Sequence, residues 1–333
     1  MGADGAQSLI DQRLVAVVAT FNRKADVQET IARLLAEPCM AVVVVDNGST
    51  DGTREWLKAQ NDPRVLPVFT ESNLGGAGGF ELGIKRAIDT YDADWVVVMD
   101  DDARPYPGAF VDFARVAQEN WDVLSAAVYY PDGHICEMNR PSRNPFWHRR
   151  AFIKTLFSTL RGQGRKGFHI SDQAYGEQMT VPIDAGSFVG MFISRRVIER
   201  IGLPDGKLFI YGDDVSYSLR AREAKFRIGF APQVRFEHAC STFSEKKVYS
   251  PYWKIYYNYR NGLITYRQAA GKAFYFVAPV FLLKWVLLGR HYGADKGVYY
   301  SLLWRAIKDG FANRLELKHT ELLALVARLE QKT

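Results

Sequence analysis

Trp95-Val96-Val97-Val98-Met99-Asp100-Asp101-Asp102 sets an unbroken apolar run directly before three carboxylates. An apolar run without alternation predicts a short strand covered on both faces. Three successive carboxylates repel one another, and each pushes its neighbours toward protonation. A divalent cation relieves that repulsion, and hard oxygen donors suit Mg²⁺ or Mn²⁺. Alternate strand residues share a face, so Asp100 and Asp102 are expected to converge on one ion while Asp101 points elsewhere. The competing reading is a solvated acidic turn.

Working outward, the same pattern recurs. Leu14–Ala19 reads as a buried strand followed by Thr20-Phe21-Asn22-Arg23, and residues 26–36 have helical spacing. Met40–Val45 is a second buried strand, closed by Asp46-Asn47-Gly48-Ser49-Thr50-Asp51-Gly52. A helix is expected over about 53–60. Val65–Phe69 is a third strand, and Pro67 predicts an edge position. Asn73-Leu74-Gly75-Gly76-Ala77-Gly78-Gly79 opens a helix over 78–90. Strands alternating with helices predict an α/β fold: a doubly wound, mostly parallel, Rossmann-like sheet. Ligands of such sheets bind beyond the carboxyl ends of the strands. The clusters 20–23, 46–51 and 100–102 all fall there.

Bulk properties narrow the function classes. The 333 residues are 47% hydrophobic, enough for a large core. No run of 18 uncharged apolar residues marks a clear membrane span, and the first 13 residues lack a secretory-signal pattern. Cys39, Cys136 and Cys240 are odd in number and far apart in sequence, which fits a reducing cytosol. The net charge of +6 hides an asymmetry. Residues 1–130 hold 11 Lys+Arg against 20 Asp+Glu, and residues 131–333 hold 32 against 17. The basic half suits phosphates, a nucleic acid or an anionic membrane surface.

That basic half has two unusual segments. Over 140–180, Arg140, Arg143, His148, Arg149, Arg150, Lys154, Arg161, Arg165 and Lys166 interleave with aromatic residues. Residues 147–160 fit an amphipathic helix, and the segment reads either as a surface insertion or as a mobile, acceptor-facing lid. After residue 249 Tyr and Trp become dense, and 273–289 is apolar except for Lys284. That stretch reads as a helix lying in a membrane interface, or as a buried C-terminal helix pair. The expected domains are 1–245, catalytic, and 246–333, helical and membrane-associating.

Three further features could carry chemistry. Gly75–Gly79 could cradle a phosphate at a helix N-terminus, or simply permit tight packing. Phe209-Ile210-Tyr211-Gly212-Asp213-Asp214 precedes an expected helix over 215–224. The helix dipole there keeps a carboxylate ionised, as a general base requires; one Asp is expected to cap the helix and the other to act. His238 stands alone in sequence, and by itself reads as a satisfied polar group.

Taken together and in this order, the TFNR, DNGSTD, NLGGAGG, DDD and YGDD segments resemble the GT-A fold glycosyltransferases of family 2. With the later His238 they look most like bacterial galactofuranosyltransferases. The resemblance covers about residues 13–240, and rhamnosyltransferases using dTDP-rhamnose share much of the pattern. It implies an inverting, metal-dependent transfer from UDP-galactofuranose to a lipid-linked or polysaccharide acceptor. It implies that Thr20, Phe21, Arg23, Asp46 and Asn73 hold the donor nucleoside, with Gly76 and Asp101 nearby. Asp100, Asp102 and His238 would hold Mn²⁺ or Mg²⁺, Asp214 would be the catalytic base, and Asp213 would orient the acceptor. The expected acceptor is a polyprenyl-diphosphate glycan, reached from the cytoplasm by peripheral contact with the inner membrane face.

Two departures matter. The galactan-polymerising members carry a Trp-Trp pair where this chain has Gly186-Ser187-Phe188-Val189-Gly190, and they carry an additional C-terminal domain. One or a few additions are therefore expected. A sugar-nucleotide nucleotidyltransferase would want a Gly-rich basic loop after the first strand, where this chain has Thr-Phe-Asn-Arg. A nucleic-acid-binding module is suggested by the pI of about 9.1, but no RNP1-like or helix-turn-helix signature accompanies it, and no nucleic-acid partner is expected.

Overall fold

The computed structural model describes residues 12–117, 119–240 and 248–331. The reading of the N-terminus as lacking a signal concerns residues 1–13, of which 1–11 lie outside that range. The first half runs β1 (Leu14–Thr20), α1 (Lys24–Leu35), β2 (Ala41–Asp46), α2 (Thr53–Lys58), β3 (Val65–Phe69), α3 (Gly75–Tyr91), β4 (Trp95–Asp100), β5 (Ala103–Pro105), α4 (Ala109–Ala117) and β6 (Val123–Tyr129). It continues with α5 (Arg149–Leu160), α6 (Asp172–Tyr175), β7 (Val181–Ile183), β8 (Met191–Ser194), α7 (Arg195–Ile201), α8 (Asp213–Glu223) and β9 (Ile228–His238). Four helices follow: α9 (Trp253–Ala270), α10 (Phe274–Leu288), α11 (Lys296–Phe311) and α12 (His319–Glu330).

Among the described residues, the strands form one sheet in the order β3-β2-β1-β4-β8-β6-β9-β5, with β7 also on β9. Strands β3, β2, β1 and β4 are mutually parallel, as the apolar runs predict. The second half is mixed: β8 runs antiparallel to both β4 and β6, and β6 is parallel to β9. Pro67 does sit on an edge strand. The central strands are buried on both faces. Leu14, Ala16 and Val18 enter one core with Val42, Val44, Val97 and Met99. Val15, Val17 and Ala19 enter the other with Val43, Val45, Val96 and Val98.

The glycine run turns out to serve packing first. A Cβ on Gly79 would come within 2.8 Å of the Ala19 Cβ, one on Gly78 within 2.6 Å of Leu74, and one on Gly83 would overlap Val17. Helix α3 thus lies unusually close on β1 and β2. Gly76 in that turn has room, with Phe80 at 3.8 Å. Gly83→Ala is expected to cost about 1–3 kcal/mol through overpacking against stiff β-branched neighbours. Thermal unfolding checks this, and an unchanged midpoint would show that α3 can back away freely.

By compactness the chain divides differently from the expected 1–245 and 246–333. One unit holds the described residues up to Gly206 together with Tyr217–Cys240. The other joins Lys207–Ser216 to the described residues after 247. The boundary expected between 245 and 246 lies outside the described residues. The reassigned loop has a physical cause, set out below.

In the helical unit, α9 and α11 pack through aromatic and polar pairs. Tyr256 donates to Asp309 at 2.9 Å, and the Tyr259 and Tyr299 hydroxyls lie 2.9 Å apart. Helix α10 is different. It buries Phe274, Ala278 and Trp285 and exposes Tyr275, Phe276, Val280, Leu283 and Leu287. Read as one continuous helical stretch, Trp253–Phe311 is apolar and long enough to cross a membrane by length and composition. Gly271 and Gly293, both with positive φ, divide it into α9, α10 and α11.

Candidate active site

Register brings the polar clusters to one end of the sheet. Thr20 at the tip of β1 pairs with Asp46 at the tip of β2, and Ala19 pairs with Asp100 of β4. The antiparallel pairing of β5 with β9 sets Ala103 opposite His238. It thereby delivers a histidine from 136 positions downstream to Asp102. His238 Nε2 lies 3.1 Å from Asp102 Oδ1, and both residues are buried. One ligand atom each from Asp100, Asp102 and His238 fall within 4.8 Å of one another. Two carboxylates and an imidazole at that spacing fit a hard or borderline divalent cation.

The expected alternation is observed. Asp101 turns away from its neighbours and accepts a hydrogen bond from Thr20 Oγ1 at 2.7 Å. Burial pushes its carboxyl up to about 7, despite the opposing Thr20 bond and Arg23 charge. Asp102 goes the other way. Burial opposes its ionisation, but the hydrogen bond and charge of His238, with Arg23, hold it below the usual range. His238 is correspondingly raised: burial acts against its charge, and the contacts with Asp102 and Cys136, together with the charge of Asp100, outweigh it.

Asp101 gives a pH prediction for metal-free protein. Its folded pKa lies above its unfolded value, so the stability it permits is present at pH 4 and lost as pH rises through about 7. In EDTA, Asp101→Asn is expected to recover on the order of 3 kcal/mol at pH 8 relative to pH 4. Denaturant unfolding at the two pH values measures this, and parallel pH profiles for the two proteins would refute it.

Asn139 escaped sequence reading. Its Oδ1 lies 2.7 Å from His238 Nδ1, while its Nδ2 donates to Ser187 Oγ at 3.0 Å. That second bond orients the amide, so Asn139 Oδ1 accepts from His238 Nδ1–H and leaves Nε2 facing Asp102. Metal-binding histidines are commonly fixed in this way by a partner on the other nitrogen. Asn139 sits in a short helical turn within an irregular connection, and nothing in its spacing signals a role. Cys136 and Cys240, far apart in sequence, also meet here. With His238, their ligand atoms lie within 4.8 Å of one another. Sequence distance concealed that cluster.

The residues expected at the donor nucleoside fall into two groups. Phe21 is exposed, and Asn73 and Gly76 are half-buried. Asn73 Oδ1 accepts from Gly75 N at 2.8 Å and caps α3. The others have partners within the protein. Arg23 contacts Asp102 and lies 3.6 Å from Asp101, so its guanidinium offsets the charge of the acidic cluster. Asp46 is fully buried, accepting from Arg54 Nε and Ser49 N at 3.0 Å each. Thr20 is buried and committed to Asp101. Asp46 and Thr20 therefore shape the strand-end loops from behind, because a buried carboxylate or hydroxyl keeps the partners that compensate its lost hydration. The turn at Asn22, with positive φ, is tied across to the second loop: Asn22 N donates to Ser49 Oγ, and Thr50 N to Asn22 Oδ1.

Asp213 and Asp214 open α8, in the helical unit. Val215 N donates to Asp214 Oδ1 at 2.7 Å. Asp213 is the more buried of the two. Ahead of them Phe209, Tyr211 and Gly212 all have positive φ, a costly conformation for the two aromatic residues. Helix α9 holds it in place. Asn261 Nδ2 lies 2.9, 2.7 and 2.9 Å from the carbonyls of Leu208, Ile210 and Tyr211. Arg260, fully buried between the rings of Tyr256 and Tyr257, donates through Nη2 to the carbonyls of Lys207 and Leu208. Phe209 stacks on His319 at 4.1 Å and on Tyr257 at 4.7 Å. This is why the loop groups with the helices.

Asn261→Asp keeps the size of the side chain but turns a carboxylate on three carbonyls. It is expected to loosen the loop by about 3 kcal/mol, exposing Lys207 to trypsin and lowering kcat with little change in donor KM. Unchanged proteolysis and kcat would remove Asn261 from this role.

The chain belongs to the family described as glycosyltransferase like family 2, matched over residues 12–261. It is 26% identical over 236 residues to galactofuranosyltransferase GlfT1 of Mycolicibacterium smegmatis, covering 70% of this chain and 73% of that one. It is 25% identical over 248 residues to N-acetylglucosaminyl-diphospho-decaprenol L-rhamnosyltransferase of Mycobacterium tuberculosis, covering 68% and 75%. Among solved structures, the mannosyltransferase PcManGT of Pyrobaculum calidifontis, in complex with GDP-Man and Mn²⁺, superposes with a TM-score of 0.50 at 18% identity. That match covers 95% of this chain and 79% of that one, and establishes the GT-A-like fold.

Proposed function

We propose that this glycosyltransferase moves galactofuranose from UDP-galactofuranose, with inversion, to a hydroxyl of a polyprenyl-diphosphate-linked glycan. The observation that carries the reading is the meeting of Asp100, Asp102 and His238 at the strand ends of a family 2 fold. The similarity to GlfT1 favours galactofuranose as the sugar. The similarity to a rhamnosyltransferase supports the second reading, dTDP-rhamnose as donor.

In this reading Asp100, Asp102 and His238 hold Mn²⁺ or Mg²⁺, which when bound offsets the charge developing on the leaving diphosphate. Asn139 holds the imidazole with Nε2 toward that site. Phe21, Asn73 and Gly76 line the nucleoside side, supported by Thr20, Asp46 and Asp101, while Arg23 carries positive charge to the diphosphate end. Asp214 takes the proton from the acceptor hydroxyl, and Asp213 orients that acceptor. An ionised carboxylate in the first turn of a helix is suited to this. The exposed face of α10 rests on the cytoplasmic surface of the membrane, where the acceptor lipid is found.

Calorimetry tests the donor. With Mn²⁺, UDP-galactofuranose is expected to bind more tightly than UDP-galactopyranose or dTDP-rhamnose, and EDTA is expected to abolish the difference. Preference for dTDP-rhamnose would replace the sugar while keeping the chemistry. Binding indifferent to EDTA would remove the metal from the reading.

A further inference from the structure

Helix α5 has no buried residue. Phe152, Ile153, Leu156, Phe157 and Leu160 keep 46%, 53%, 52%, 57% and 76% of their surface exposed. At about 100° per residue these five span an arc of about 140° on one side of the helix. The other side is held down. The turn Gly164–Gly167 packs there, and its glycines are needed for the approach. A Cβ on Gly164 would lie 3.0 Å from Thr159 Oγ1, and one on Gly167 would overlap Thr155. The apolar arc is thus presented outward by a support on its polar flank.

The charged side chains along this segment are basic. Between Glu137 and Asp172 the chain contains no acidic residue. Arg149, Arg150 and Lys154 on the helix, and Arg161, Arg165 and Lys166 beyond it, are all exposed. Trp147, at the entry to the helix, is exposed as well. An outward apolar stripe bordered by arginine and lysine, with aromatic residues in the stripe, is the composition of a helix that lies in a lipid headgroup layer. A protein partner with an apolar groove would not require six unopposed cations. An anionic bilayer supplies both the apolar depth and the negative charge.

We propose that α5 is an anionic-lipid-binding element of the sheet unit, separate from the exposed face of α10 in the helical unit. Phe152, Ile153, Leu156, Phe157 and Leu160 enter the acyl boundary, while Arg149, Arg150, Lys154, Arg161, Arg165 and Lys166 meet the phosphates. The proposal shares a peripheral membrane setting with the proposed function but stands on different residues. It holds or fails whatever the sugar.

The test uses the full chain with an environment-sensitive fluorophore on Ile153→Cys, and a second preparation labelled at Phe276→Cys on α10. Vesicles of phosphatidylcholine, with or without about 30% phosphatidylglycerol, are added at low and high salt. The expected result is a blue shift of the 153 probe with anionic vesicles, weak with neutral ones and reversed by salt. Flotation of Ile153→Ser/Phe157→Ser/Leu160→Ser is expected to show about tenfold weaker partitioning, with little change in thermal unfolding since all three side chains are more than half exposed. A shift at 276 without one at 153 would overturn the proposal and leave α10 as the membrane contact. A shift at 153 that depends on protein concentration without vesicles would overturn it in favour of a second copy of the chain. Equal shifts with neutral and anionic vesicles would overturn the charge argument and the proposal with it.

Discussion

Asp214→Asn is expected to reduce transfer by about 10²–10⁴-fold while leaving donor binding within a few-fold. The amide keeps the volume of the carboxylate and still accepts from Val215 N, the contact observed at 2.7 Å. What it loses is basicity, and a neutral amide cannot remove a proton from a sugar hydroxyl at useful rates. The loss should appear in kcat and should not be rescued by more donor or acceptor. Asp213→Asn, at the more buried neighbour, is expected to raise acceptor KM more than it lowers kcat. If Asp214→Asn retained more than about a tenth of parental turnover, the base would have to be another group. A collapse of both donor binding and thermal stability would instead mark Asp214 as a structural cap.

Asp102→Asn is expected to lower metal-dependent nucleotide affinity by about 100-fold, the size of effect usual for loss of a metal ligand or its close support. Asp102 holds three positions in this structure at once. It belongs to the possible ligand set with Asp100 and His238, it lies 3.1 Å from His238 Nε2, and it takes the contact from Arg23. Removing its charge also removes the largest of the contacts that raise His238, beside Cys136 and Asp100, so the proton affinity of the ring falls under the burial that acts against its charge. Asp101→Asn provides the contrast. Its carboxyl is turned toward Thr20, outside the ligand set of Asp100, Asp102 and His238, so nucleotide affinity should keep its full response to Mn²⁺. Equal losses in the two variants, measured by calorimetry with and without EDTA, would show that the acidic run acts as a diffuse charge and not as a defined ligand pair.

Much of the first half of the molecule was readable from residue order. The runs 14–19, 41–45 and 95–99 admit few alternatives, because a continuous β-branched stretch closed by polar turn residues is stable only when both faces are covered. Once those strands are parallel, their carboxyl ends are neighbours, and Thr20, Asp46 and Asp100 must gather there. The divergence of Asp101 from Asp100 and Asp102 was expected from strand period, but β4 ends at Asp100 and a turn at Asp101-Asp102 produces it. The glycine run was legible as a helix opening but not as a packing device, since which glycine lacks room depends on Ala19 and Val17 lying opposite.

The sequence by itself determined the family, the parallel half of the sheet, and the carboxylates at its edge, since these rest on local periodicity and on motifs within a few residues. The tertiary structure decided what those groups touch. It brought His238 and Asn139 to Asp102, committed Asp46 to Arg54 and Arg23 to the acidic run, and joined the Asp213–Asp214 loop to α9 through Arg260 and Asn261. It also left the apolar arc of α5 facing outward. Such pairings depend on long-range register and on which buried polar group finds which partner. Those choices are made by the desolvation cost of an unpaired group, which no local pattern in the chain records.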